Sequence, residues 1–106
     1  MEMAKYILSI FKTQLMVVYS WGFHKPMALQ NGLRFKVQGF RFRGVVDVVY
    51  YEGRDLFDIS FIKSNKVVNT IEGVYFDMLV DTIDEFVEKT SDYEQRVREQ
   101  YVINIF

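Results

Sequence analysis

Cysteine is absent from the chain, which excludes a disulfide framework, a thiolate metal site and a cysteine nucleophile. Proline occurs once and glycine six times in 106 residues, too rarely for a linker or a fibrous class. The one histidine, His24, has no Gly-x-Ser-x-Gly elbow to work with, so it reads as a loop residue beside aromatic anchors rather than as a general base. Neither a Gly-x-Gly-x-x-Gly nor a P-loop pattern is present, which leaves dinucleotide and nucleoside triphosphate chemistry without an anchor. No stretch approaches the roughly 20 unbroken apolar residues of a membrane span. Residues 7–23 are largely apolar, but Lys12, Thr13 and Gln14 interrupt them, Glu2 spoils a basic leader and no small-residue cleavage site follows. The expectation is a soluble, cytoplasmic protein with no membrane partner and no cofactor.

What the chain does have is apolar bulk. Half of its residues are apolar and 17% are aromatic, against a net charge of −1. That balance opposes disorder. It suits one domain over residues 1–106, with about 91–106 as a C-terminal extension.

Residues 3–14 read as an amphipathic helix, because Met3, Ile7, Ile10 and Phe11 recur at helical spacing. Residues 16–21 are β-branched and aromatic and read as a strand, which Lys25-Pro26 ends. Asn31-Gly32 predicts a type I′ hairpin turn between a short segment at 27–30 and a strand over 33–38. Gly39 marks a bulge or bend before 40–43. Residues 45–51 and 56–62 read as strands joined by Glu52-Gly53-Arg54, and Ser64-Asn65-Lys66 turns into a short edge strand over 67–71. From Gly73 the period becomes helical, with Tyr75, Met78, Leu79, Thr82, Ile83, Phe86 and Val87 on one stripe. Ser91 and Glu94 match a capping box for a further helix, and residues 101–106 are apolar and strand-like. The expected fold is α+β and two-layered. It has an N-terminal helix, an antiparallel sheet of four or five strands, and a C-terminal helix or helices packed on one face.

Charge is split along the chain. Residues 1–54 carry a net of +5 and residues 55–106 a net of −6. The basic part centres on Arg34, Lys36, Arg41 and Arg43, interleaved with Phe35, Val37, Phe40 and Phe42. Together with Lys25, these cations are the candidate set for a nucleic-acid-binding module, cations meeting phosphates and aromatics stacking on bases. Strand alternation opposes that, because it points the phenylalanines away from the cations unless Gly39 resets the phase. The acidic part centres on Asp77, Asp81, Asp84 and Glu88, spaced along one helix face. Side chains of one straight helix rarely converge on a hard cation, so no metal site is expected. Like charges at that spacing repel by a few tenths of a kcal/mol per pair. Cations of the basic strand, from the same chain or from a symmetry mate, would relieve them. Asp47, Glu52, Asp55 and Asp58 gather around a hairpin, but nothing in the sequence separates them into an acid and a base. Trp21 and Phe23, if exposed, would form a partner-binding hot spot.

Several segments, Ser-Trp-Gly-Phe-His (20–24), Asn-Gly-Leu-Arg-Phe (31–35), Val-Gln-Gly-Phe (37–40), Asp-Leu-Phe-Asp (55–58) and Val-Tyr-Phe-Asp-Met-Leu-Val-Asp-Thr-Ile-Asp (74–84), resemble short proteins of bacterial prophages and mobile elements. The resemblance covers about residues 15–88. That group has no assigned activity, cofactor or catalytic residue, so it implies only a bacterial cytoplasm and a small accessory role.

Composition and motifs name no biochemical activity. The leading expectation is a non-enzymatic protein-interaction or adaptor module that self-associates as a homodimer, with contacts from Trp21, Phe23, Asp77, Asp81, Asp84 and Glu88. The alternative is the nucleic-acid-binding module of Lys25, Arg34, Lys36, Arg41 and Arg43.

Overall fold

The computed structural model describes residues 2–88. The expected helix after Ser91 and the tail at 101–106 lie outside the described residues. The first helix, α1, runs over Glu2–Lys12 and buries Ala4, Ile7 and Phe11, one inward residue per turn. It stops where the backbone N–H groups of Thr13 and Gln14 bond back to Ile10 and Phe11, tightening the last turn.

The next segment differs from the sequence expectation. Leu15–Ser20 forms a second helix, α2, where a strand is predicted. The spacing of Val18 and Trp21 explains why. Both are buried, and residues three apart share a side on a helix but take opposite faces on a strand. Burial of both therefore outweighs the β-propensity of the segment. Gly22, at φ +68°, ends this helix in a left-handed turn that an L side chain rarely adopts.

Five strands follow as an antiparallel sheet in sequence order: β1 (His24–Leu29), β2 (Gly32–Gln38), β3 (Arg43–Tyr51), β4 (Leu56–Lys63) and β5 (Lys66–Val74). Pro26 does not end a strand as expected. It lies inside β1, an edge strand, at a register shift between His24 and Met27 where Lys25 takes φ 51°. The β1–β2 hairpin is present, but it turns at Gln30-Asn31 without positive φ, so it is not the predicted type I′ turn. Asn31 instead ties the hairpin to β3, exchanging bonds with the backbone of Tyr50. The left-handed pair sits at Ser64-Asn65, between β4 and β5, with φ 54° and 64°. Residues 40–42, expected in a strand, form the β2–β3 loop.

A short 3-10 turn at Phe76–Met78 leads into α3, Leu79–Val87, whose Leu79, Val80, Ile83 and Val87 are buried. The predicted helical stripe starts too early, because Tyr75 is extended and both Tyr75 and Met78 are exposed. All three helices pack on one side of the sheet. That side carries Leu33, Phe35, Val37, Val46, Val48, Phe57, Ile59 and Phe61, all buried. The fold is α+β with an antiparallel sheet, an N-terminal helix and a C-terminal helix. Among the described residues no helix is long and apolar enough to cross a membrane.

Candidate functional site: the uncovered sheet face

Strand alternation sends every second side chain of the sheet away from the helices. Register across the sheet gives these side chains a definite layout. One row runs His24, Lys36, Val45, Ile62 and Val67; the next runs Met27, Arg34, Asp47, Ser60 and Thr70. A third holds Leu29, Gly32, Val49 and Asp58, and Tyr51 and Leu56 lie beyond it. Gln38 and Arg43 pair at the opposite end. The apolar side chains lie on either side of the polar middle row, Val45, Ile62 and Val67 in one flanking row and Leu29 and Val49 in the other. In β3, Val45-Val46-Asp47-Val48-Val49 carries valines on both faces and is interrupted on the open one by Asp47. Val45, Val49 and Ile62 are half-buried by their neighbours, whereas Met27 and Val67 remain 58% and 60% exposed.

One ion pair crosses the middle of this face. Arg34 donates from Nε and from its Nη2 to the two oxygens of Asp47 at 2.7 and 2.8 Å. The bond to Asp47, and then its charge, hold the guanidinium above its ordinary pKa. Arg34 is therefore spent inside the sheet. Arg41 points elsewhere, donating from Nη1 to the Glu85 carbonyl at 2.9 Å, at the C-terminal end of α3. The candidate basic set is thus divided. Lys36 and Arg43 stay together on the open face and have no ion pair or side-chain hydrogen bond among the described residues. Lys25 is exposed on the edge strand. His24, Lys36, Gln38, Arg43, Gly44 and Val45 line a shallow recess of about 470 Å³ at this corner. His24 was not in the predicted set; its cross-strand pairing with Lys36 becomes visible only once the register is known.

The aromatic members of the basic stretch do not form a stacking platform. Phe35 and Phe42 are buried on the helix side, packed against Trp21 and Phe61 respectively, and Phe40 alone is exposed. Trp21 corrects the hot-spot expectation. It is fully enclosed, with its ring perpendicular to that of Phe11 and stacked with that of Phe35, and its Nε1 donates to Asp84 at 2.9 Å. Phe23 is partly buried against the same cluster.

The acidic stripe divides as well. Asp84 serves Trp21, and Glu88 is buried and accepts the Phe40 N–H at 2.9 Å. Asp77 and Asp81 are exposed on the helix layer. Lys36 and Arg43 project from the opposite side of the sheet, so the predicted pairing of basic strand with acidic helix does not form within the chain for these two. Among the described residues no group of three or more His, Cys, Asp or Glu is placed to hold a metal ion.

The hairpin carboxylates hold the fold. Asp58 accepts the Gly73 N–H at 3.0 Å, and Asp55 accepts the Tyr50 hydroxyl at 2.6 Å. That bond, then burial, pushes the Tyr50 phenol above its ordinary pKa. A recess of about 390 Å³ beside it is lined by Met3, Tyr6, Tyr50, Asp55, Phe57 and Phe76. It holds one carboxylate, not a pair.

No family model matches the chain, and neither the curated proteins nor the solved structures contain a significant match to it.

Proposed function

We propose that the chain is a non-enzymatic interaction module that pairs with a second copy of itself through the open sheet face. The observation that carries this reading is the uncovered face itself, on which Val45, Ile62 and Val67 form an apolar row and Val49 lies beyond the neutralised Arg34–Asp47 pair, with no described element over them. Exposed apolar side chains among polar ones on an uncovered face mark interaction sites.

Two further features favour a face-to-face partner. The sheet edges are blunted: β1 by Pro26, left-handed Lys25 and a register shift, and β5 by two register shifts of its own. Charge is also unevenly placed on the face. His24, Lys36 and Arg43 occupy one corner, whereas the exposed Glu72 lies towards the diagonally opposite one, beside Asp58, which is paired with Arg54 at 3.8 Å. A two-fold axis along the other diagonal sets each basic corner over the partner's acidic one. The strands then cross at about 90°, one of the two common arrangements of packed sheets.

Val49→Glu tests this reading by multi-angle light scattering. The wild-type chain is expected at twice the monomer mass at micromolar concentration, and the variant at monomer mass with unchanged far-UV circular dichroism. A monomeric wild type, or a variant that remains dimeric, contradicts the reading.

A further inference from the structure

The recess at the basic corner has a composition that self-association does not call for. Three neighbouring strands each bring one nitrogen-bearing cationic or imidazole group to it: His24 from β1, Lys36 from β2 and Arg43 from β3. No carboxylate lines it. Directly opposed residues on neighbouring antiparallel strands hold their Cβ atoms about 5 Å apart. His24 opposes Lys36 in this way, and Gln38 opposes Arg43, so the four side chains step diagonally across three strands with Lys36 and Gln38 in the middle. The like charges there have no internal acid to relieve them, which disfavours the empty corner and favours an anion. The His24 ring is oriented by the bond its Nδ1 donates to the Gly22 carbonyl at 2.7 Å; the neutral ring then presents an acceptor at Nε2, so the ring walls the corner and the donors there are Lys36, Gln38 and Arg43. That carbonyl is held by the left-handed turn at Gly22, and the adjoining Trp21 carbonyl accepts the Gln38 N–H at 2.7 Å, which ties the turn to β2.

From this geometry we infer that the corner binds a phosphate group. A guanidinium fork alone suits a carboxylate or a phosphate equally. A fork from β3 with an ammonium and an amide from β2 supplies donors for several oxygens arranged around a tetrahedral centre. The Val45 side and the Gly44 backbone complete the floor without adding negative charge. The inference does not rest on self-association, although the same cations would face the partner's acids in the proposed pair.

The test is a heteronuclear NMR titration of the full chain carrying Val49→Glu with inorganic phosphate, against chloride at matched ionic strength. That substitution is remote from the corner and keeps the face unpaired. The expected result is saturable shifts at His24, Lys36, Gln38 and Arg43, with affinity at least tenfold weaker once Lys36→Met and Arg43→Met are added. Shifts that never saturate, or affinity unchanged by those two substitutions, overturn the inference. Oligonucleotides in a parallel titration distinguish the sources of the group. Binding of phosphate but not of oligonucleotide assigns the corner to a small phosphorylated ligand. Tighter binding of oligonucleotide that weakens steeply with salt assigns it to a nucleic-acid backbone.

Discussion

Trp21 is the only tryptophan in the chain, and its side chain joins three parts of the molecule: α1 through Phe11, β2 through Phe35 and α3 through Asp84. Replacing it by Phe keeps a ring in the cluster but removes the donor that satisfies Asp84. A polar group losing its partner in such a setting costs about 1–3 kcal/mol, and urea denaturation of Trp21→Phe is expected to show a loss in that range. A change below ~0.5 kcal/mol, the usual size of a neutral surface substitution, would mean that the indole N–H is not a structural donor. Tyr50 makes a second prediction at this scale. Its bond to Asp55 raises the phenol pKa, so the folded chain favours the protonated hydroxyl. That contribution is whole below the unfolded tyrosine value of about 10 and disappears as pH rises through the folded value. Urea midpoints measured on the alkaline side should therefore fall more steeply for the wild type than for Tyr50→Phe. Parallel alkaline limbs would contradict the assignment.

At the scale of elements, three backbone N–H groups join the β2–β3 loop to the end of α3. The Val87 carbonyl accepts N–H groups from Arg41 and Phe42, and Glu88 accepts that of Phe40. Gly39 permits this approach: a Cβ there would stand 2.3 Å from the Val87 carbonyl oxygen and 2.4 Å from its Cγ1. Gly39→Ala is expected to destabilise by about 1–3 kcal/mol, the range for overpacking a filled site. That corresponds to a drop of roughly 4–8 °C per kcal/mol in a thermal melt of a domain this size. An unchanged melting temperature would show that the loop can lift away from α3. Local pattern made much at this scale legible beforehand. The period of α1, the alternation of β3 and β4 and the turn at Ser64-Asn65 are all written in neighbouring residues. What escaped depends on distant ones. Leu15–Ser20 is helical because Val18 and Trp21 must reach one core. The turn at Gln30-Asn31 takes its form from the reach of Asn31 to Tyr50, nineteen positions away. The candidate site was legible only in part for the same reason. Alternation announced a face with Lys36 and Arg43. It could not announce that Asp47 lies opposite Arg34, or that His24 lies opposite Lys36.

Across the whole molecule, the charge asymmetry of the sequence does not become two facing surfaces. Arg34 is neutralised on the open face, Arg41 binds the end of α3, and Asp84 and Glu88 are drawn into hydrogen bonds with Trp21 and the Phe40 backbone. What remains is one sheet side covered by helices and one left open, with apolar side chains flanking the Arg34–Asp47 pair, a basic corner at Lys36 and Arg43, and the exposed Glu72 towards the opposite corner. The helix layer also exposes apolar groups, Met16 at 78% and Tyr19 at 65% among them, so the claim that matters is which face makes the contact. Isotope-filtered nuclear Overhauser measurements on a mixed sample of labelled and unlabelled chains decide this directly. The account predicts intermolecular signals from the methyl groups of Val45, Val49 and Ile62. Intermolecular signals confined to Met16 and Tyr19, or none at concentrations where the chain sediments as a dimer, would contradict it.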